Sequence, residues 1–316
     1  MDPEQYVCTL TEESVRKAAK ELNEDPDQRA GALSTFIEWI QQQNWLHTSL
    51  DPKFLLAFLR SRKLSQLGAR ELLRKFWTMK TKIPQWHYGA DPMHTKAREL
   101  LETGVLLKLP GVDRQGQKML LIRPGQLDPS GRSYSFDDWM RFNTLIVNSL
   151  LFDENVQVNG VLFLLDFNGL TLKHQSFIGI EESKNIFQTL QGAMPLRMKE
   201  LHHYNTGPVF EVLFAIIRPL MTEKIRKRVR LHGNNLVSLY REIDMCLLPE
   251  EYLPDDHEGP SAGRIPEIIE QMIEELQQPS LCGFLQDLHS QKYGVDLRTM
   301  DKNSESQSSY RKLNVT

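Results

Sequence analysis

Cysteine is scarce in this chain: Cys8, Cys246 and Cys282 stand far apart and form no CxxC pair. That spacing argues against both a disulfide framework and a structural zinc site. Long apolar runs are missing as well. Val161–Leu165 and Val212–Ile217 fall far short of the ~18 to 20 residues that a membrane span requires. The amino terminus, Met1-Asp2-Pro3-Glu4-Gln5, is acidic and no apolar block follows it, so the expectation is a cytoplasmic chain without a secretory signal. The net charge of −3 over 316 residues gives no general reason to expect a nucleic-acid partner. A content of 40% hydrophobic and 25% charged residues excludes a wholly disordered chain, and the length is about twice that of a usual ~150-residue domain.

What is present is order along the chain. Over the first hundred residues, apolar side chains recur at helical spacing, with a capping box expected at Thr9-Leu10-Thr11-Glu12 and an Asp51-Pro52 helix start. Four amphipathic helices there make a small bundle. After Glu102 the pattern changes. Val105–Leu109 and Lys118–Ile122 flank a turn bounded by Gly111 and Gly116, which reads as a β-hairpin. Val161–Leu165 lacks polar alternation, the mark of a strand buried on both faces in a parallel sheet. Helices through Trp139–Leu150, Ile180–Leu190 and Val209–Ile217 alternate with strands near Leu201–Tyr204 and Val229–Leu231, so the fold class is α/β. From about Asp301 the composition is polar, and a disordered tail is expected.

Several catalytic patterns are present in letters but not in context. Gly259-Pro260-Ser261-Ala262-Gly263 has the form GxSxG, but an acidic loop precedes it where a nucleophile elbow needs a strand. Gly111 to Lys118 loosely resembles a phosphate loop, yet the lysine comes one place late and no Ser or Thr follows it. On a strand, His202 and His203 point to opposite faces and do not readily share a metal. Asp166, at a strand end, is either a general base or a cap for the turn through Asn168 and Gly169, and the cap is favoured.

The informative segment is Thr206 to Asn235. Val209 to Ile217 is almost entirely apolar, so this helix is either buried core or the cover of a cavity with a greasy outer face. Between Arg218 and His232 stand six cations, Arg218, Lys224, Arg226, Lys227, Arg228 and Arg230, against the single acid Glu223. Such density costs like-charge repulsion unless an anion neutralises it. A greasy helix followed by a basic one has the composition of a surface that touches an anionic membrane. The island lacks the interleaved aromatics of an RNA site, so no nucleic acid is expected.

Four stretches resemble the CRAL-TRIO family, in the branch of the α-tocopherol transfer protein, cellular retinaldehyde-binding protein and clavesins: Asp51–Lys63, Asn159–Asp166, Met194–Asn205 and Ile217–Asn235. The resemblance covers about residues 50 to 253. It implies an amino-terminal helical bundle (1–100), a CRAL-TRIO lipid-binding domain (101–280) with a mainly parallel central sheet flanked by helices, and a carboxy-terminal extension (281–316). It implies a non-enzymatic carrier with no cofactor, holding a tocopherol-, retinoid- or other lipid-like ligand and reversibly meeting phosphoinositide-bearing membranes. A trafficking adaptor that senses lipid without net transport is the alternative. Position by position, headgroup binding falls on Arg197, Lys199, Lys224 and Arg228. Aligned outward from Gly160 and Pro195, the expected pocket is Met140, Asn143, Val147, Val161, Leu165, Ile186, Leu190, Leu196 and Leu201. The expected mobile gate comprises Val209, Phe210, Leu213, Phe214, Ile217, Leu220 and Met221.

Overall fold

The protein is described by a computed structural model, which describes residues 6–300; the tail expected from about 301 lies outside them. Helix α1 (Glu12–Leu22) is capped at Thr11, two residues after the expected cap. The Thr11 side chain accepts from Ser14 N, while Thr9 donates from its backbone and its hydroxyl to Glu154, at 2.9 and 2.5 Å. A buried carboxylate needs donors more than a helix end needs a cap, since an unpaired charge in the interior is the costlier defect. After α2 (Arg29–Gln41) and the short strand β1 (Leu46–His47), α3 (Pro52–Ser61) begins as anticipated: Asp51 caps Phe54 N at 3.0 Å and Pro52 takes the first helical position.

The run Phe54–Arg60 on α3 is buried entire, because α2, α4 (Gln66–Lys82) and the sheet domain enclose it from all sides. Arg60, fully buried, is the joint between the two halves of the chain. Its guanidinium donates to both oxygens of Glu24 at 2.8 Å, to Glu154 at 2.9 Å and to Gln157 at 2.8 Å. Two short helices, α5 (Pro84–His87) and α6 (Thr95–Leu101), lead into the sheet domain.

There, β2 (Leu106–Lys108) and β3 (Lys118–Ile122) form the expected antiparallel hairpin. Helix α7 (Phe136–Ser149) starts at a capping box, Ser135 with Asp138, and α8 (Glu154–Asn159) ends at Gly160. Gly160 has φ +91°, and a Cβ there would lie 2.4 Å from the Arg197 carbonyl, so only glycine lets β4 (Val161–Asp166) start against the next strand. Helices α9 (Leu172–Ile178) and α10 (Ile180–Gln188) follow, the second continuing through a wide turn at Thr189–Ala193 to β5 (Met198–Tyr204). Then come α11 (Pro208–Ile217), α12 (Glu223–Arg226), β6 (Val229–Leu231) and α13 (Leu236–Tyr240). The sheet order is β2-β3-β4-β5-β6, and every pair from β3 to β6 is parallel, with Phe163 beside Leu201 and Leu165 beside His203. The continuous apolar run of β4 is therefore a central strand with helices on both faces.

The carboxy-terminal segment returns to the bundle. Helix α14 (Ile265–Leu276) covers β2, and α15 (Pro279–Leu288) crosses the boundary expected at 280. Strand β7 (Gly294–Val295) then pairs antiparallel with β1, while Leu288 and Val295 complete the core of the amino-terminal helices.

Candidate lipid cavity and basic surface

Residues that alternate along parallel strands build the floor of an internal cavity of about 310 Å³, at the lower end of the usual ~300 to 1,000 Å³ for ligand pockets. Phe163 and Leu165 of β4 and Leu201 and His203 of β5 face it, while Leu164 and His202 face away. Helix α7 supplies one wall through Trp139, Met140, Asn143 and Val147, and α10 with the turn after it supplies Ile186 and Leu190. Seven of the nine expected pocket residues lie on the wall: Met140, Asn143, Val147, Leu165, Ile186, Leu190 and Leu201.

Two do not. Val161 opens β4 at the far end of the strand and packs into the sheet core. Leu196 precedes β5 and packs where the two cores meet, against both. The cavity also extends further than the expected list, toward α4 and α5, where Phe76, Met79, Trp86 and His87 close it. The amphipathic stripe of α4 carries that information only as core, since nothing local tells a cavity wall from packing.

Helix α11 lies over the opening. Phe210, Leu213, Phe214 and Ile217, spaced i, i+3, i+4 and i+7, face the cavity, and Met221 joins them. Val209 sits beside that stripe and off the wall. Leu220 leaves it because α11 ends at Ile217, and the tight turn at Arg218–Leu220, with Pro219 inside it, redirects the chain. Opposite the stripe, Val212 and Ile216 are 54% and 45% exposed. A uniformly apolar helix gives no sequence signal for which residues face out, so this pair is legible only in the fold. Substituting glutamate at both Val212 and Ile216 is expected to reduce vesicle association tenfold or more, given ~1.5 to 3 kcal/mol for burying one such side chain. Melting temperature should stay unchanged; a large drop in it would place these residues in the core.

Beside α11 the four expected cations converge. Burial, then the neighbouring Arg197, lowers the pKa of Lys199 and of Arg228; burial, then Arg228, Arg62, Arg197 and Lys63, lowers that of Lys224. Charges that depress one another share one field. Arg62 and Lys63, at the end of α3, enlarge the patch, although more than a hundred residues separate them from its other members. Among the described residues, Glu21 of α1 pairs with this cluster, 2.8 Å from Arg197 and 3.8 Å from Lys199. Its hydrogen bond from Arg197 holds the Glu21 carboxyl below its usual pKa.

The discarded motifs have structural roles. Asp166 accepts from Asn168 N at 2.9 Å, from the Asn205 side chain at 2.7 Å and from the Tyr252 hydroxyl at 2.5 Å, fastening the ends of two strands. Ser261 lies in a loop, accepts from Gly263 N at 3.1 Å and is absent from the cavity wall.

Fold and cavity together define the class: an α/β protein whose parallel sheet and one overlying helix enclose a hydrophobic chamber beside a cluster of cations. The CRAL/TRIO domain matches residues 102–252. "Alpha-tocopherol transfer protein-like" of Mus musculus is 36% identical over 252 residues, covering 79% of this chain and 72% of that protein. Clavesin-2 of Rattus norvegicus is 29% identical over 246 residues, covering 77% and 74%. The crystal structure of Sfh5, at 14% identity, matches with a TM-score of 0.50 over 85% of this chain and 100% of that one, a likeness of fold alone. The chain belongs to the CRAL/TRIO family, whose members are generally lipid-binding and lipid-transfer proteins. No helix among the described residues is long and apolar enough to cross a membrane.

Proposed function

We propose that this protein encloses one hydrophobic molecule of tocopherol, retinoid or similar lipid type and exchanges it at phosphoinositide-bearing membranes. The observation that carries the reading is the junction of the two features: the helix that covers the apolar cavity is followed directly by the basic segment, and its outer face bears Val212 and Ile216. A ligand of about 20 buried carbons gains on the order of 16 kcal/mol in gross transfer, at ~0.8 per methylene, so water alone releases it very slowly. Displacing α11 against a bilayer lowers that barrier, because its inner face then meets lipid. Headgroup phosphates on Arg197, Lys199, Lys224 and Arg228 hold the protein there.

Transfer of retinol and of a fluorophore-tagged tocopherol between vesicles tests the reading. A rate that rises with phosphatidylinositol bisphosphate in the acceptor vesicles supports it. Binding without transfer supports a sensing adaptor instead. Because Glu21 occupies two of the proposed phosphate-binding cations, Glu21→Gln is expected to raise affinity for these vesicles several-fold. Unchanged or weaker sedimentation would remove Glu21 as a competitor for the patch.

A further inference from the structure

On an apolar wall the polar exceptions carry information. His202 and His203 are neighbours with opposite fates. His202 turns away from the cavity and is paired at both ring nitrogens, 3.0 Å from His232 and 3.1 Å from Glu200. His203 turns into the cavity, is 2% exposed, and has no hydrogen-bond partner at either nitrogen. Its ring is instead enclosed by aromatic rings at near-perpendicular angles, Phe167 at 5.4 Å, Phe210 at 5.5 Å and Phe214 at 5.7 Å. Two of those three belong to α11.

An unpaired polar group at such burial costs ~1 to 3 kcal/mol, and leucine would fill the place without that cost. Other orphaned atoms on the wall are single: Trp139 Nε1, His87 Nε2 and Thr189 Oγ1. Among the described residues of the wall, His203 leaves a complete donor and acceptor pair unused. Burial, reinforced by His202 and His232, lowers its pKa to about 4, so near neutral pH the imidazole is uncharged, with one nitrogen donating and the other accepting.

We propose that His203 is the polar anchor for the ligand, and that the ligand is a neutral amphiphile whose hydroxyl group, alcohol or phenol, seats beneath α11. A hydroxyl both donates and accepts and can use either nitrogen of the imidazole in either tautomer. A hydrocarbon leaves both unpaired, an aldehyde or ester only accepts, and a carboxylate ion likewise only accepts and meets an uncharged ring. The anchor also places the ligand's polar end against Phe210 and Phe214, so ligand identity is read where the cover meets the floor. This inference rests on the reading of the cavity as a lipid site and narrows it to a chemical class.

The test compares phytol with phytane, an isoprenoid alcohol and its parent hydrocarbon. Each is exchanged from cyclodextrin onto the purified full-length protein, and occupancy is read by native mass spectrometry. Wild type and variant are compared under the same conditions, which cancels the preference of the cyclodextrin itself. The expected result is that His203→Leu lowers the preference for phytol over phytane by tenfold or more. It should bind phytane at least as well as wild type does and should melt no earlier. His203→Gln, which keeps a donor and an acceptor, should restore part of the preference. A His203→Leu protein with the wild-type preference, or one weakened equally for both probes, would overturn the anchor. Equal binding of both probes by wild type, relative to cyclodextrin, sinks the anchor and leaves the lipid cavity standing. Binding of neither probe overturns both.

Discussion

Arg60→Met should lower the free energy of unfolding by about 3 to 5 kcal/mol, because it leaves Glu24 and Glu154 as buried charges without their cation. Methionine replaces the stem of the side chain but not the guanidinium, so a packing loss adds to the electrostatic one. Burial alone would raise the pKa of both carboxyls. Hydrogen bonds and charge from Arg60 and Arg29 at Glu24, and from Thr9, Tyr6 and Arg60 at Glu154, hold both below the usual range. A carboxyl whose folded pKa lies below its unfolded value of ~4.3 contributes stability above that pH and loses it as pH falls through the folded value. The gap between wild type and variant should therefore be widest near neutral pH, begin to narrow where the unpaired carboxyls of the variant take up protons, above their usual pKa, and keep narrowing down through the lowered pKa values of wild type. Urea melts across that range measure it, and a gap independent of pH would assign the loss to packing. Adding Glu24→Gln and Glu154→Gln should recover part of the deficit.

The second large effect concerns binding with little change in folding. Lys224→Ala combined with Arg228→Ala removes two of the charge-assisted contacts proposed for a headgroup phosphate. At ~1.5 to 3 kcal/mol each, tenfold or more is lost per residue, and on the order of a hundredfold for the pair. Arg228 also donates to the Met198 carbonyl, a small structural debit. Relief of mutual repulsion among Arg197, Lys224 and Arg228 acts in the opposite sense, so the melting temperature should barely move. Binding by wild type should weaken as salt rises, over a Debye length of ~8 to 10 Å. Equal sedimentation of the two proteins with phosphatidylinositol bisphosphate vesicles at low salt would make this a solvated basic face.

The parts of this molecule legible in its sequence are those where local chemistry and global position agree. The polar-free run of β4 marks a central parallel strand, the glycines at 111 and 116 bound a hairpin, and Asp51-Pro52 starts a helix. The phase of α11 is not legible: in a uniformly apolar string Phe210, Leu213, Phe214 and Ile217 look the same as Val212 and Ile216, and they differ only in what packs on them. Thr9 does not cap α1, and the sequence does not show why, because the carboxylate that claims it lies 145 residues away. For the same reason Glu21, Arg62 and Lys63 are not legible in the sequence as neighbours of the basic patch. A charge window along the chain sees neighbours in sequence, whereas this patch is assembled from four separate segments. Val161 and Leu196 lie off the cavity wall because the same apolar side chain serves a core or a cavity, and only its place in the fold decides which.

The cavity itself is tested most directly by mass spectrometry of an organic extract from the full chain, purified without detergent from a eukaryotic cell. One neutral hydrophobic molecule per chain, bearing a hydroxyl group and retained through gel filtration, is the predicted result. An extract with no stoichiometric lipid, from protein that also fails to take up retinol or tocopherol from vesicles, would contradict the lipid-enclosing function.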